Sequence, residues 1–270
     1  MRLARYLTDS GVRWAADGML LAPFFSLAGF LSVPREKGLR MLASHTTDQL
    51  AAGSLLAPIE DSQEVWASGV TYLRSRDARK GESVAADIYQ RVYDAERPEL
   101  FFKACGWRVA GHGRATRVRK DSAWNVPEPE MTLVVNAHRE IVGYCVGNDV
   151  SSRSIEGENP LYLPQAKIFT GSCALGPAVQ LVRPDDLRDL PIRLTIFRAG
   201  AAAFEGETRT SEIKRPLRAL IDCLFMELNF PAGVFLMTGT GIVPPEAFSL
   251  LPGDRVVITI GELALENPVA

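Results

Sequence analysis

Pro127-Glu128-Pro129-Glu130-Met131-Thr132-Leu133-Val134-Val135 runs through the polar segment Asn136-Ala137-His138-Arg139-Glu140 into Ile141-Val142-Gly143-Tyr144-Cys145-Val146-Gly147-Asn148-Asp149. Two apolar runs of strand length flanking a polar turn are the pattern of a β-hairpin. Centring the turn between His138 and Arg139 sets Glu128 opposite Asp149, since each stands the same distance from the centre. Residues two apart on a strand share a face, so Glu128 and Glu130 lie on one side. A directly opposed partner is about 5 Å away between Cβ atoms. Three carboxylates then converge at the open end of the hairpin, where mutual repulsion would force at least one to stay protonated. A divalent cation removes that conflict. An all-oxygen set with few protein ligands suits Mg²⁺, with Mn²⁺ or Ca²⁺ as alternatives. The competing view makes Glu128 and Glu130 solvent-facing residues of an edge strand, where Pro127 and Pro129 are at home. Geometry alone leaves both open.

Outward from the hairpin the chain is strand-rich. Short apolar runs recur at Trp66–Tyr72, Leu100–Lys103, Ala178–Val182, Ile192–Phe197, Val234–Met237 and Arg255–Ile260, separated by turn residues. In the main domain helical spacing is found over Glu82–Ala95, with Val84, Ile88 and Val92 four apart, and over Arg215–Leu228, where Pro216 suits the first turn. Such a sequence argues for a β-rich α+β domain rather than alternating βαβ units. Residues 1–60 read as a small N-terminal domain with a helix-like Leu39–Ala52, and 61–270 as the main domain.

Composition narrows the function. The chain has 270 residues, 47% hydrophobic and 23% charged, an ordinary globular balance. A net charge of -2 with no basic block offers no footprint for nucleic acid. Met19–Val33 is broken by Pro23 and Gly29, so no membrane span is expected. Cys105, Cys145, Cys173 and Cys223 form no Cys-x-x-Cys pair, and a cytoplasmic protein with packed thiols is expected. No GxGxxG or Walker motif supports nucleotide binding.

The motifs in order carry a resemblance. Glu128-Pro-Glu130, Gly147-Asn-Asp149-Val-Ser-Ser-Arg153, Lys167-Ile-Phe-Thr-Gly and Thr238-Gly239-Thr240-Gly241 together resemble the fumarylacetoacetate hydrolase superfamily, across roughly residues 65–260. The resemblance implies a mixed β-sandwich roll with a small N-terminal module, a magnesium site at Glu128, Glu130 and Asp149, and a homodimer or dimer-based oligomer. Within that superfamily, Tyr93–Ala104, Gly111–Gly113 and Glu156–Lys167 are similar to the branch that dehydrates 2-keto-3-deoxypentonates. The superfamily's hydrolases pair a histidine after the first main strand with a glutamate to activate water. Gly69–Asp77 holds no histidine, and the chain's only histidines are His45, His112 and His138.

What the resemblance implies is a metal-dependent dehydratase of a small 2-oxo acid, turning a 2-keto-3-deoxypentonate such as 2-keto-3-deoxy-D-arabinonate into 2,5-dioxopentanoate. The cation would polarise the keto oxygen as a C3 proton leaves. Lys167 is the first candidate base, or else stays charged and binds the keto or enolate oxygen, and Glu99, beside Phe101 and Phe102, is the candidate acid. Thr240, Gly239 and Arg153 are candidate substrate contacts, with Arg74 and Arg76 ranked below them. A carbon–carbon bond hydrolase of an acylpyruvate, and a non-catalytic 2-oxo acid binding protein, are the alternatives.

Overall fold

The computed structural model describes residues 1–73 and 86–270, with the side chains of 86 and 87 also left aside. Strands Arg2–Thr8 (β1), Gly11–Ala16 (β2), Met19–Leu21 (β3), Thr46–Leu50 (β4) and Ser54–Leu56 (β5) come first, with helices Leu27–Leu31 (α1) and Arg35–His45 (α2) between β3 and β4. Then follow Glu64–Gly69 (β6), helix Ala86–Asp94 (α3), Glu99–Cys105 (β7), Asn125–Val126 (β8), Pro129–Val135 (β9), Ile141–Asp149 (β10) and Ser151–Ser152 (β11). Helices Arg153–Glu158 (α4) and Leu163–Lys167 (α5) lead to Cys173–Leu181 (β12), Pro191–Arg198 (β13) and Ala201–Arg209 (β14). Helix Leu217–Leu224 (α6), Val234–Met237 (β15), Arg255–Ile260 (β16) and Leu263–Pro268 (β17) complete the order.

Among the described residues the strands make one large mixed sheet, ordered β4-β3-β2-β1-β12-β10-β9-β15-β6-β7 with β5 added on β1, a four-stranded sheet β14-β13-β16-β17, and the short pair β11-β8. Among the described strands only β15 and β6 pair in parallel. Residues 1–60 extend the large sheet, because Arg2 and Leu3 pair with Gln180 and Val179 of β12. Asp17-Gly18, at φ 48° and 84°, closes the β2–β3 hairpin in the tight turn that needs positive φ at both positions.

The central hairpin has the expected register over its open half. Gly143 pairs with Val134, and the match runs on to Asn148 with Pro129. The Asp149 N–H then donates to the Glu128 carbonyl at 3.0 Å. A bulge between Ile141 and Gly143 absorbs one residue near the turn. Alternation along β9 divides two cores. Met131, Leu133 and Val135 pack with Ile192, Leu194, Ile258 and Ile221 toward the second sheet and α6. Val134 faces the other way, with Leu3, Trp14, Phe30, Phe235 and Met237. Parity puts Glu128 and Glu130 on this second side, at its end. Each fully buried Leu, Ile or Phe contributes about 1.5–3 kcal/mol, so two filled faces hold β9 and β10 firmly enough to carry buried charge.

Three local expectations are corrected. The helix placed over Leu39–Ala52 is Arg35–His45, and Thr46–Leu50 is a strand. Thr46 and Thr47, β-branched, favour extended backbone, and Thr46 Oγ1 donates to the Leu42 carbonyl, closing the helix. The helix after Pro216 stops at Leu224, where Phe225 turns inward onto Phe230 at 4.9 Å. Helix α3 buries Tyr89 and leaves Ile88 exposed, while Val84 lies outside the described residues.

Candidate active site

Glu128 and Glu130 enter from the start of β9 and Asp149 from the end of β10, all three buried. One carboxylate oxygen from each lies within 4.8 Å of the others. Burial is the first reason the Glu130 carboxyl is pushed well above its usual range, and the charges of Asp149 and Glu128 push it further. Lys167 and the Gly239 N–H pull the other way. That N–H donates to Glu130 Oε2 at 2.5 Å, from a residue at φ 87° that favours glycine.

Three buried cations face these acids. Lys167 Nζ lies 2.7 Å from Glu128 Oε2, 3.1 Å from Asp149 Oδ2 and 2.6 Å from Ser151 Oγ. Arg153, at the start of α4, sets one guanidinium nitrogen 3.0 Å from Glu128 Oε1. Lys103 Nζ, from β7, lies 2.5 Å from Asp149 Oδ1. Buried charges persist in pairs like these, because an unpaired one costs several kcal/mol.

A small, largely enclosed cleft adjoins this cluster, about 300 Å³ of space between the atoms. Its walls are Ser68 and Gly69 at the end of β6, Val70 just after it, Glu99 and Phe101 of β7, Glu156 of α4, Lys167 of α5, and Gly239 and Thr240 after β15, over the three carboxylates. The structure therefore gathers Glu99, Glu128, Glu130, Asp149, Lys167, Gly239 and Thr240 around one space. Arg153 backs Glu128 from outside that lining. The Thr240 hydroxyl takes the Ile242 N–H at 3.2 Å, bracing its own turn. Arg74 and Arg76 lie outside the described residues.

No histidine lines this cleft among the described residues. His112 Nδ1 accepts the Glu266 N–H at 3.2 Å and so braces β17. His45 stacks edge-on against Phe24 at 4.9 Å, and His138 is exposed in the hairpin turn. Cys145 and Cys173 are buried thiols, and burial pushes both upward, Cys173 to about 12.

Sequence reasoning missed Lys103 and Ser151. A signal for Lys103 was present: Glu99, Phe101 and Lys103 alternate on one face of β7, so placing Glu99 at the site implies the other two. Three oxygen donors with no sulfur or imidazole fit a hard divalent cation that completes its shell with water or substrate.

A model of the fumarylacetoacetate hydrolase C-terminal domain matches residues 65–270. The chain belongs to this family. Among relatives, it is 45% identical to a probable 2-keto-3-deoxyxylonate dehydratase of Haloferax volcanii, over 92% of this chain and 88% of that protein. It is 44% identical to the 2-dehydro-3-deoxy-D-arabinonate dehydratase of Saccharolobus solfataricus, over 77% of this chain and 72% of that one. The fold matches a solved 2-keto-3-deoxyarabinonate dehydratase with a TM-score of 0.88 at 34% identity, covering 100% of this chain and 99% of that one. A structure of 2-keto-3-deoxy-D-arabinonate dehydratase complexed with magnesium and 2,5-dioxopentanoate matches at TM-score 0.80 and 33% identity, over 100% and 98% of the two chains. The β-rich mixed-sheet architecture expected of the family is the one observed. Among the described residues no helix is long and apolar enough to cross a membrane.

Proposed function

We propose that this chain dehydrates a 2-keto-3-deoxypentonate to 2,5-dioxopentanoate, with Mg²⁺ held by Glu128, Glu130 and Asp149. The observation that carries the proposal is the convergence of those three buried carboxylates with Lys167 and Glu99 on one cleft that no histidine lines among the described residues. Relatives that share this chain's length and fold are dehydratases of such sugar acids, and one is complexed with the product. When bound, the cation supplies Lewis acidity at the keto end of the substrate.

The chain's own groups do the rest. Lys167 Nζ is placed to receive the proton that leaves C3. Glu99, protonated, gives its proton to the C4 hydroxyl, and the C4–O bond breaks with loss of water. A proton then moves from C5 to C3, and the resulting enol becomes the aldehyde. Thr240 and Gly239 line the end of the cleft where the substrate carboxylate would lie, while Arg153 keeps Glu128 turned toward the cation. The hydrolase alternative has no group in the described cleft to match a water-activating imidazole.

All of these residues fall within 61–270, which we take as the catalytic unit, with 1–60 as an appendage on its sheet. A cytoplasmic homodimer acting on a small 2-oxo acid is the accompanying expectation. The deciding experiment offers both C4 epimers of the pentonate with Mg²⁺ and couples 2,5-dioxopentanoate to a semialdehyde dehydrogenase. Turnover of acylpyruvates and of neither pentonate would overturn the proposal.

A further inference from the structure

The chemistry above leaves Lys103 without a part, although its side chain is fully buried beside the carboxylates. An ammonium has three N–H donors and no acceptor. Lys103 Nζ has three oxygens within reach: Asp149 Oδ1 and the Lys167 carbonyl at 2.5 Å, and the Val150 carbonyl at 3.2 Å. The Lys167 carbonyl also accepts from Ser172 Oγ at 2.9 Å, so the C-terminal end of α5 is gripped twice. One nitrogen thus holds a cation ligand by one oxygen and the backbone of the expected base by its carbonyl. The second oxygen of Asp149 is left toward Glu128, where Lys167 lies.

The two lysines are held differently. Lys167 is bound through side-chain oxygens only and lines the cleft, so it can swing toward a substrate as a cation enters. Lys103 has two main-chain anchors and no exposure, so its Nζ stays where it is. A fixed positive charge on the back of a ligand carboxylate repels an incoming cation, and low polarity magnifies the repulsion.

We infer that Lys103 is a positioning residue with two opposed effects: it sets Asp149 and Lys167 relative to one another, and its Nζ, fixed against Asp149 Oδ1, weakens the divalent-cation site. This rests on Glu128, Glu130 and Asp149 holding the cation. Loss of Lys103 should therefore give tighter metal and a slower enzyme. General damage to the fold would loosen the metal instead.

The test compares the full wild-type chain with Lys103→Met and Lys103→Gln, the latter keeping two N–H donors without the charge. Free Mn²⁺ is followed by electron paramagnetic resonance, and melting in EDTA checks the fold. Both variants should bind Mn²⁺ about tenfold or more tightly than wild type. With the pentonate, kcat should fall about ten- to hundredfold while KM changes far less. Equal or weaker Mn²⁺ binding in a folded variant overturns the proposal, and failure of both variants to fold assigns Lys103 to the scaffold and overturns it too. Absence of Mn²⁺ binding by the wild type would instead remove the cation site itself. Turnover of other substrates would touch only the choice of reaction.

Discussion

The Glu99 carboxylate occupies the space that a side chain at Gly69 would need: a Cβ built on Gly69 falls 2.0 Å from Glu99 Oε2. The two residues are paired across β6 and β7, and Glu99 lies over bare backbone into the cleft. The clashing atom is the far end of a flexible side chain, so Gly69→Ala should fold and push the carboxylate aside. Turnover is expected to fall roughly ten- to hundredfold, since about 1 Å of misplacement at a reacting group costs that much. Mn²⁺ binding should stay as in wild type. Full turnover in this variant would remove Glu99 from the chemistry.

Metal stabilisation should depend on pH through Glu130. Its carboxyl is raised well above the usual range by burial first, then by Asp149 and Glu128. A group raised in the fold supports the metal-free protein below its unfolded pKa, and that support is lost as pH rises through the folded one. A cation needs the ionised carboxylate, so the Mg²⁺-induced rise in Tm should be larger at pH 8 than at pH 5. Melting with Mg²⁺ and with EDTA at both values checks this; an equal or larger rise at pH 5 contradicts it.

Lys167→Met removes an ammonium that lies between Glu128 and Asp149 while keeping most of the side chain's length. Turnover should be lost with Mn²⁺ still bound, because no cation ligand is deleted. Unaltered turnover would show that the base lies elsewhere. Glu130→Gln, by contrast, should lose both Mn²⁺ affinity and activity with the fold retained.

The hairpin turn gives a stability test away from the cleft. Asn136 Oδ1 accepts the N–H groups of His138 and Glu140 at 3.0 and 2.9 Å, and its amide donates to the Val33 carbonyl and Glu140. Asn136→Ala should cost about 2 kcal/mol by orphaning these partners. For a chain of this size that is a fall in Tm of about 4–8 °C. Differential scanning calorimetry reads it directly, and a shift under 1 °C would show the side chain to be dispensable.

Much of the fold could be read from alternation alone. Val234–Met237 and Arg255–Ile260 are strands with the bounds their apolar runs suggest, and Glu128 faces Asp149 because hairpin register follows from turn position. What escaped has a physical cause in each case. Ala201–Arg209 is a polar strand half open to solvent, so no apolar run announces it. β1 and β2 alternate with arginine at intermediate depth, which resembles loop composition. Helix signals ran past His45 because spacing of four carries no information on where β-branched residues take over. Parity with Glu99 could place Lys103 on the cleft side of β7, but not its pairing, since the partner Asp149 lies on another strand.

The order of the large sheet has a consequence during synthesis. β15 lies between β9 and β6, yet both neighbours are made long before it. Until Val234 leaves the ribosome, at about 5–20 residues per second, the facing edges of β9 and β6 have no partner and invite wrong pairing. The same late strand delivers Gly239 to Glu130. The acids of the β9–β10 hairpin are thus made well before this N–H, and the surroundings of Glu130 are complete only once β15 has been inserted between its neighbours.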